Sequence, residues 1–354
     1  MPDHALKLCP EWLEYPETRR LIALAGDAPL YFRGGTVRDA LLGVTPRDID
    51  LVVDIPRPEL VARLEPEGFS VSAAENARTV LAKINGVEYD IVAATSAYPA
   101  PASLVADSGG AVPLDFTINS LYLSPQGRLL DYYGGAEDLR TGRVRFAVDA
   151  RQRITENYAH ILRFFRFHAR YGSGEPDAET AQLCTEYAGH IRDIPIALMD
   201  ANMFRLFVVP RVATTLESMR RLGILEPIFG FAIHSCDRVA TLEMLENLTQ
   251  TAPDSHLRLA VLLLHAHISP LEALARVRQA WAMPDDSYWW KYHILAALPQ
   301  VHADMPFAVR KSLREKLGAL AFRHLLLLGW TMERDPMAVR VAYETMLERE
   351  NENG

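Results

Sequence analysis

The chain has 354 residues, a net charge of -8 at neutral pH and an apolar fraction of 49%. This length predicts two or three domains with buried cores, and the acidic balance argues against a uniformly basic nucleic-acid-binding protein. The three cysteines have no metal-binding spacing, and no apolar run approaches the ~20 residues of a membrane-spanning helix. Because the N-terminus also lacks a charged and then apolar signal pattern, we expect a cytoplasmic protein without a membrane partner.

The first part of the chain, to about residue 146, alternates strand-like and helix-like segments. Residues 36–42 are typical of a short helix, and Asn85-Gly86 is the strongest short signal for a hairpin turn. Residues 97–113 are rich in small residues, proline and glycine, which predicts a mobile loop. The predicted strands lie at 29–33, 48–53, 79–84 and 87–93.

After about residue 147 the strand signals fade and apolar residues recur at helical spacing. The sequence therefore predicts a mixed α/β head followed by an all-helical remainder. The predicted helices lie at 152–171, 177–191, 213–223, 238–250, 257–266, 270–282 and 308–329.

Two aspartates, Asp48 and Asp50, stand at the start of the second predicted strand. Residues i and i+2 of a strand point to one face, so both carboxylates are expected to project together. Two carboxylates this close repel each other unless a cation lies between them. Mg²⁺ prefers such oxygen ligands and is usually completed by substrate phosphates. Two exposed aspartates at a strand start are the alternative interpretation of this pattern.

A glycine pair, Gly34-Gly35, lies between the first predicted strand and the short helix. Glycines at this point leave backbone N–H groups free to approach an anion. An ordinary strand-to-helix turn is the alternative, and the absence of a following G-K-[ST] excludes a P-loop. Together, a phosphate-binding turn and a carboxylate pair predict a site for a nucleoside triphosphate.

The stretch around these residues resembles the signature of the class II tRNA nucleotidyltransferases (CCA-adding enzymes) and the bacterial poly(A) polymerases. Their pattern is GG-x-VRD-x-LLG followed by D-x-D, and residues 34–50 match it. Three further blocks of the family follow in the same order. They are VEYDIVA at 87–93, DFTINSL at 115–121 and DYYGGAEDL at 131–139.

The resemblance implies an α+β fold, in which a polymerase-β-type head with a mixed five-stranded sheet precedes a helical neck, body and tail. It implies that a 3′-hydroxyl attacks the α-phosphate of a nucleoside triphosphate and that pyrophosphate leaves. It also implies that Asp48, Asp50 and Asp90 are catalytic and hold two Mg²⁺ ions, with Mn²⁺ as the alternative. The implied nucleotide-binding residues are Gly34, Gly35, Arg38, Asp115, Asn119, Asn157, His160, Arg163 and Arg166.

The base-reading motif of the family is E-D-x-x-R, whereas residues 156–160 of this chain are ENYAH. Asn157 both donates and accepts hydrogen bonds where an ionised aspartate only accepts. His160 offers one donor where arginine offers a fork of donors. Arg163 and Arg166 follow on the same predicted flank, where the resemblance places them at the triphosphate. We therefore expect the transfer chemistry to be retained and the choice of base to be relaxed or altered.

The sequence predicts three regions: the head at 1–146, a helical neck and body at 147–230, and a C-terminal body and tail at 231–354. The last is a candidate RNA-binding region because it carries the basic residues Arg310, Lys311, Arg314 and Lys316. The favoured function is metal-dependent addition of nucleotides, from CTP and ATP first, to the 3′ end of tRNA. The alternatives are transfer to another RNA or a small molecule, and an inactive paralogue that binds nucleotide or RNA.

Overall fold

The computed structural model describes residues 7–72, 79–94, 114–281, 283, 285–301 and 305–332. It divides into two compact units, Met1–Ala150 and Arg151–Gly354. The predicted boundary at residue 230 lies inside the second unit and stays a prediction. The predicted mobile loop at 97–113 lies outside the described residues.

The first unit is built around one mixed β-sheet. Its strands are β1 (Leu30–Arg33), β2 (Ile49–Pro56), β3 (Ser70–Ser72), β4 (Thr79–Ile84), β5 (Val87–Ala94), β6 (Leu121–Leu123) and β7 (Leu129–Asp131). Among the described residues the strand order is β3-β4-β5-β2-β1-β6-β7. Strands β2 and β5 are parallel, and the other neighbouring pairs are antiparallel. The predicted α+β class is confirmed, but the expected five strands are too few. The sheet has seven, because the three-residue strands β3 and β7 extend it at its two edges.

Alternation of side chains gives the sheet one closed and one open side. The closed side is covered by helices α1 (Pro16–Ala25), α2 (Gly35–Leu41) and α3 (Arg57–Leu64), which pack on the buried strand residues. The other side, called here the open face, carries Tyr31, Arg33, Asp50, Val52, Asp90 and Tyr122. Arg33, Asp50 and Asp90 are only half-buried there, so charged side chains remain accessible on this face.

The predicted hairpin is confirmed as β4 and β5, joined at Asn85-Gly86. Both turn residues have positive φ, 50° and 86°, which a two-residue type I′ turn requires. Helices α1 and α3 were not predicted from the sequence. Each has a proline in its first turn, where the missing N–H costs no helical hydrogen bond.

The second unit is helical throughout its described residues. Helix α4 (Gly135–Thr141) closes the first unit, and α5 (Ala150–Glu156) spans the boundary. The helices that follow are α6 (Ala159–Tyr171), α7 (Ala178–Glu186), α8 (Ile196–Phe207), α9 (Val212–Arg221), α10 (Leu225–Phe229), α11 (Asp237–Leu248), α12 (Ser255–Leu263), α13 (Pro270–Trp281), α14 (Asp285–Ala297), α15 (Phe307–Leu317) and α16 (Ala319–Trp330). None of the described helices is long and apolar enough to cross a membrane.

Two predicted helices are each broken into two. The segment 152–171 breaks at Asn157, whose side-chain Oδ1 accepts a hydrogen bond from the N–H of Ala159 at 3.0 Å and so competes with the helix. The segment 308–329 breaks at Gly318, whose φ of 81° is unfavourable for other residues. Helices α8 and α14 were not predicted.

A buried ion pair fastens the second unit internally. Arg258 of α12 and Glu246 of α11 are both 3% exposed and are joined by a hydrogen bond of 2.6 Å. Arg258 also donates to the carbonyls of Phe207 and Val209, at 2.7 and 2.8 Å, just after α8 ends. One side chain therefore ties three helices together.

Candidate active site

The turn between β1 and α2 is formed by Gly34 and Gly35. Gly34 has a φ of 66°, and its N–H donates to the carbonyl of Leu121 on β6 at 3.1 Å. A Cβ atom on Gly35 would lie 3.3 Å from Nη2 of Arg38 and 3.6 Å from Oδ2 of Asp50. The backbone of the turn therefore passes close to the Asp50 carboxylate, and a side chain on Gly35 would contact both Asp50 and the guanidinium of Arg38.

The hydroxyl of Thr36 ties the turn to the two aspartates. Its Oγ1 accepts the N–H of Asp50 at 2.7 Å and donates to the carbonyl of Asp48 at 3.3 Å. Asp48 was expected inside a strand, but β2 begins one residue later, at Ile49, and Asp48 is exposed. The Asp48 carbonyl accepts a hydrogen bond from the Thr36 side chain instead of from a neighbouring strand, and β2 therefore does not extend to Asp48.

The third carboxylate is brought to the site by strand pairing. In the parallel register of β2 and β5, Asp50 lies directly beside Asp90, although the two are far apart in sequence. Paired residues of neighbouring strands point to the same face, about 5 Å apart. Both carboxylates therefore project from the open face together.

The three carboxylates act on one another through their negative charge. Burial, and then the negative charge of Asp48, raise the pKa of Asp50 to about 6, and Asp90 acts in the same direction. Arg33 and Arg38 oppose this shift. Burial, followed by the charges of Asp48 and Glu88, also raises the pKa of Asp90. The three aspartates thus form one acidic cluster that a cation would stabilise.

The donor set of this cluster fits Mg²⁺ or Mn²⁺. Its ligands are carboxylate oxygens, which hard divalent cations prefer. Within the described part of the chain, no three His, Cys, Asp or Glu side chains are close enough to enclose a metal ion by themselves. Mg²⁺ is usually held by one or two carboxylates together with substrate phosphates, so an open cluster agrees with this ion better than a closed cage.

Three of the predicted nucleotide-binding residues form a network beside the glycine turn. The guanidinium of Arg38 donates to Asp39 at 2.8 and 3.0 Å and to Oδ1 of Asn119 at 2.6 Å. The amide of Asn119 in turn donates to Asp115 at 3.0 Å. Through Arg38, the network packs against Gly35 and connects the turn to residues 115–119, which lead into β6. Direct contact of these residues with a nucleotide stays a prediction.

The second and third sequence blocks are packed against each other. Thr117 donates to the buried carboxylate of Asp138 at 2.6 Å, and Arg145 forms an ion pair with the same carboxylate at 2.8 Å. Asp131 accepts the N–H groups of Gly135 and Ala136, both at 2.9 Å, at the start of α4. The hydrogen bond between Thr117 and Asp138 therefore anchors residues 115–119 to helix α4.

Gly135→Ala is therefore expected to destabilise the head by about 1–3 kcal/mol and to lower any activity of the site. A Cβ atom there would lie 2.0 Å from the carbonyl oxygen of Thr117, and the backbone cannot yield as a flexible side chain could. Thermal unfolding of the two proteins measures the difference. Gly189→Ala is the matched control, because nothing lies within 4 Å of a Cβ there. A Gly135 variant as stable as this control would contradict the packing.

The remaining predicted residues lie in the second unit, at the break before α6. Asn157 is exposed, with its Oδ1 engaged by Ala159. Nδ1 of His160 lies 2.7 Å from the carbonyl of Arg153, so this nitrogen carries the proton and donates. The guanidinium groups of Arg163 and Arg166 lie over the ring of Phe167, 5.6 and 4.9 Å from its centre. His160, Arg163 and Arg166 share the less buried flank of α6, as their spacing predicted, whereas Asn157 precedes this helix.

Sequence reasoning missed two residues of the site. Thr36 is the unspecified position of GG-x-VRD. Only the structure shows that its hydroxyl forms hydrogen bonds to the backbone of both Asp48 and Asp50. Arg33 precedes the glycine pair and lies on the open face beside Asp50. Side chains of a strand alternate between faces, so the apolar Phe32 before it could have indicated that Arg33 points away from the core.

A mixed sheet that presents a carboxylate cluster beside a glycine turn, followed by helices, defines a polymerase-β-type nucleotidyltransferase head. Residues 30–145 match the family model of the Poly A polymerase head domain. This match confirms the resemblance of the head to the class II tRNA nucleotidyltransferases and bacterial poly(A) polymerases.

Individual relatives agree with this assignment. The human mitochondrial CCA tRNA nucleotidyltransferase 1 is 34% identical over 169 residues, which cover 45% of this chain and 39% of the relative. The CCA-adding enzyme of Leuconostoc mesenteroides is 28% identical over 206 residues, covering 56% and 51%. The aligned part thus spans about half the length of these relatives or less.

Solved structures extend the likeness in fold. The apo form of a tRNA-processing enzyme superposes with a TM-score of 0.73 at 23% identity, covering 96% of this chain and 93% of that one. The Thermotoga maritima CCA-adding enzyme complexed with tRNA superposes with a TM-score of 0.67 at 19% identity, covering 96% and 83%. At these identities the likeness establishes the fold.

Proposed function

We propose that this protein is a metal-dependent nucleotidyltransferase that adds nucleotides from a nucleoside triphosphate to the 3′ end of tRNA and releases pyrophosphate. The observation that carries the proposal is the pairing of Asp50 with Asp90 beside the Gly34-Gly35 turn, with Asp48 in electrostatic contact with both. A catalytically inactive binding module has no need to retain three mutually repelling carboxylates at the same point.

The chain's own residues would divide the work as follows. Asp48, Asp50 and Asp90 would hold two Mg²⁺ ions, which would lower the pKa of the attacking hydroxyl and neutralise charge on the triphosphate. The Gly34-Gly35 backbone lets a phosphate approach Asp50 without steric conflict. Thr36 fixes the positions of Asp48 and Asp50, and Arg38 supports the turn. No covalent intermediate with the protein is required.

The acceptor is inferred from the relatives and from charge. The human relative is a tRNA nucleotidyltransferase by name, and one solved neighbour is described as complexed with tRNA. In this chain helix α15 carries Arg310, Lys311, Arg314 and Lys316, the last three of them exposed. Such a helix is suited to contact RNA phosphates. A cytoplasmic location stays a prediction, since the human relative is mitochondrial by name.

The choice of base is proposed to be relaxed or altered. At the base-reading position, Asn157 presents an amide, with its oxygen engaged by the Ala159 N–H. His160 uses the N–H of its Nδ1 on the Arg153 carbonyl, where the family's arginine would present a fork of donors to the base. Asn157 Oδ1 and His160 Nδ1 therefore form hydrogen bonds within the protein instead of being available to recognise the edge of a base.

We expect the wild type to incorporate CTP, ATP and at least one further nucleotide onto tRNA transcripts that end before CCA, in the presence of Mg²⁺. The variant Asn157→Asp/His160→Arg restores the family's pair and is expected to raise the preference for CTP and then ATP by roughly 10–100-fold. Labelled incorporation of each of the four nucleotides, resolved on a gel, measures both.

Clean addition of CTP and then ATP by the wild type would refute the altered choice of base while supporting the transferase itself. No metal-dependent release of pyrophosphate with any nucleotide or RNA would instead favour the inactive binding module. Addition of adenylates alone would favour the poly(A) polymerase branch, in which a Haemophilus influenzae relative named poly(A) polymerase I is 27% identical over 216 residues.

A further inference from the structure

We propose that Arg33 binds the β- and γ-phosphates of the incoming nucleoside triphosphate and thereby extends the site beyond the residues of the family signature. The inference rests on the proposed nucleotidyl transfer for the identity of the substrate. It is carried by the place of Arg33 on the sheet and by the absence, among the described residues, of a hydrogen bond or ion pair to its guanidinium.

Arg33 continues a row of side chains across four strands of the open face. Asp90 of β5 lies beside Asp50 of β2. The antiparallel register of β1 and β2 pairs Phe32 with Leu51, and one further step sets Arg33 opposite Asp50. On its other side Arg33 pairs with Tyr122 of β6. The row is therefore Asp90, Asp50, Arg33 and Tyr122, with about 5 Å between neighbouring strands.

The order of this row gives Arg33 a place in the reaction. The proposal places the attacking hydroxyl at the Asp90 end of the row, and Asp50 lies in the middle. Arg33 is on the opposite side of Asp50 from Asp90. A triphosphate whose α-phosphate is held at Asp50 between the two ends would direct its leaving pyrophosphate toward Arg33.

Arg38 and Arg145 near the site are already engaged, whereas no described residue forms a hydrogen bond or ion pair with Arg33. Arg38 is bound by Asp39 and Asn119, and Arg145 by Asp138. Within the described part of the chain, Arg33 makes no hydrogen bond and no ion pair, and it acts on Asp50 and Tyr122 only through its charge. It is half-buried on the face that carries the carboxylates. A guanidinium whose five N–H donors are accepted by no group of the described residues is matched to phosphate oxygens in charge and in planar geometry.

The test compares the full-length wild type with Arg33→Met, which keeps most of the side-chain volume and removes the charge. Binding of ATP and of AMP is titrated with Mg²⁺ present and acceptor RNA absent. We expect Arg33→Met to weaken ATP binding about 10–100-fold and AMP binding less than about threefold, because only ATP carries the β- and γ-phosphates. Arg33→Lys should recover part of the loss as a point charge without the fork.

The control is Arg20→Met on α1, which removes the same charge from the opposite side of the sheet. Kinetics supply a second readout: the KM for the nucleotide and the inhibition constant of pyrophosphate should rise together, while the KM for RNA should not. Equal losses for ATP and AMP, unchanged ATP binding, or a rise confined to the KM for RNA would each overturn the assignment. Because binding is measured without turnover, the result stands apart from whether transfer to tRNA occurs.

Discussion

Replacing Asp50 with asparagine is expected to slow nucleotide incorporation by roughly 10³-fold, the equivalent of several kcal/mol of lost transition-state stabilisation. Asparagine keeps the shape of the side chain and the backbone N–H bond to Thr36. It removes the negative charge that stands between Asp48 and Asp90 in the acidic cluster. Incorporation of a labelled nucleotide into RNA at saturating Mg²⁺ measures the effect.

The same substitution is expected to leave the free energy of unfolding unchanged or to raise it, by on the order of 1 kcal/mol. Burial and the charge of Asp48 raise the pKa of Asp50 to about 6. A carboxyl group whose pKa is higher in the folded state than in the unfolded state destabilises the fold at a pH above both values. At pH 7 the ionised Asp50 therefore opposes folding, and asparagine removes this opposition.

Asp54→Asn is the matched control for Asp50→Asn. Asp54 lies on the same strand, four residues further along, and is also half-buried. It lies outside the acidic cluster, so its substitution should change incorporation less than about threefold. If the Asp50 variant kept its activity, or lost it only by unfolding, the metal-binding assignment of Asp50 would be wrong.

Arg258→Met is expected to have the largest effect on stability, lowering the free energy of unfolding by about 3–5 kcal/mol. The substitution leaves the carboxylate of Glu246 buried without its partner and removes the donors to the Phe207 and Val209 carbonyls. Thermal and urea unfolding followed by circular dichroism measure the loss. Removing Glu246 as well, in Arg258→Met/Glu246→Leu, should recover part of it, because the most deeply buried carboxylate that lost its partner is then also absent.

Arg276→Met is the control for the buried pair. Arg276 and Glu272 form an ion pair of 2.7 Å whose side chains are about half exposed, 50% and 49%. Exposed pairs of this kind contribute about 0–1 kcal/mol. Similar losses for Arg258→Met and Arg276→Met would contradict the conclusion that burial makes the Arg258 pair structurally important.

The local features of the site could be predicted from the sequence because they depend on neighbouring residues. Strand alternation predicted that Asp50 projects away from the core, and the glycine pair predicted the tight turn beside it. The hairpin at Asn85-Gly86 followed from turn chemistry alone. The family resemblance then supplied Asp90, which the parallel register of β2 and β5 places beside Asp50.

The features that were missed depend on contacts between distant residues or on side chains that replace backbone partners. Arg33 joins the site only because β1 lies between β2 and β6 in the sheet order. The break before α6 arises because Asn157 bonds to the backbone, which helical periodicity does not detect. Periodicity also placed Asp48 inside the strand, because it does not detect the hydrogen bond that the Asp48 carbonyl accepts from Thr36. In the structure Asp48 lies one residue before β2.

The break at Asn157 has a consequence for how such a protein changes over generations. The relative positions of Asp50 and Asp90 are fixed by the register of β2 and β5. A shift of β5 by one residue would point the Asp90 side chain into the core. Asn157 is exposed and belongs to neither α5 nor α6. A substitution there alters no helical residue and no packed core. Under the proposed role of Asn157 in the choice of base, the preferred nucleotide could therefore change at this position at little cost to folding, while the transfer chemistry stays as it is.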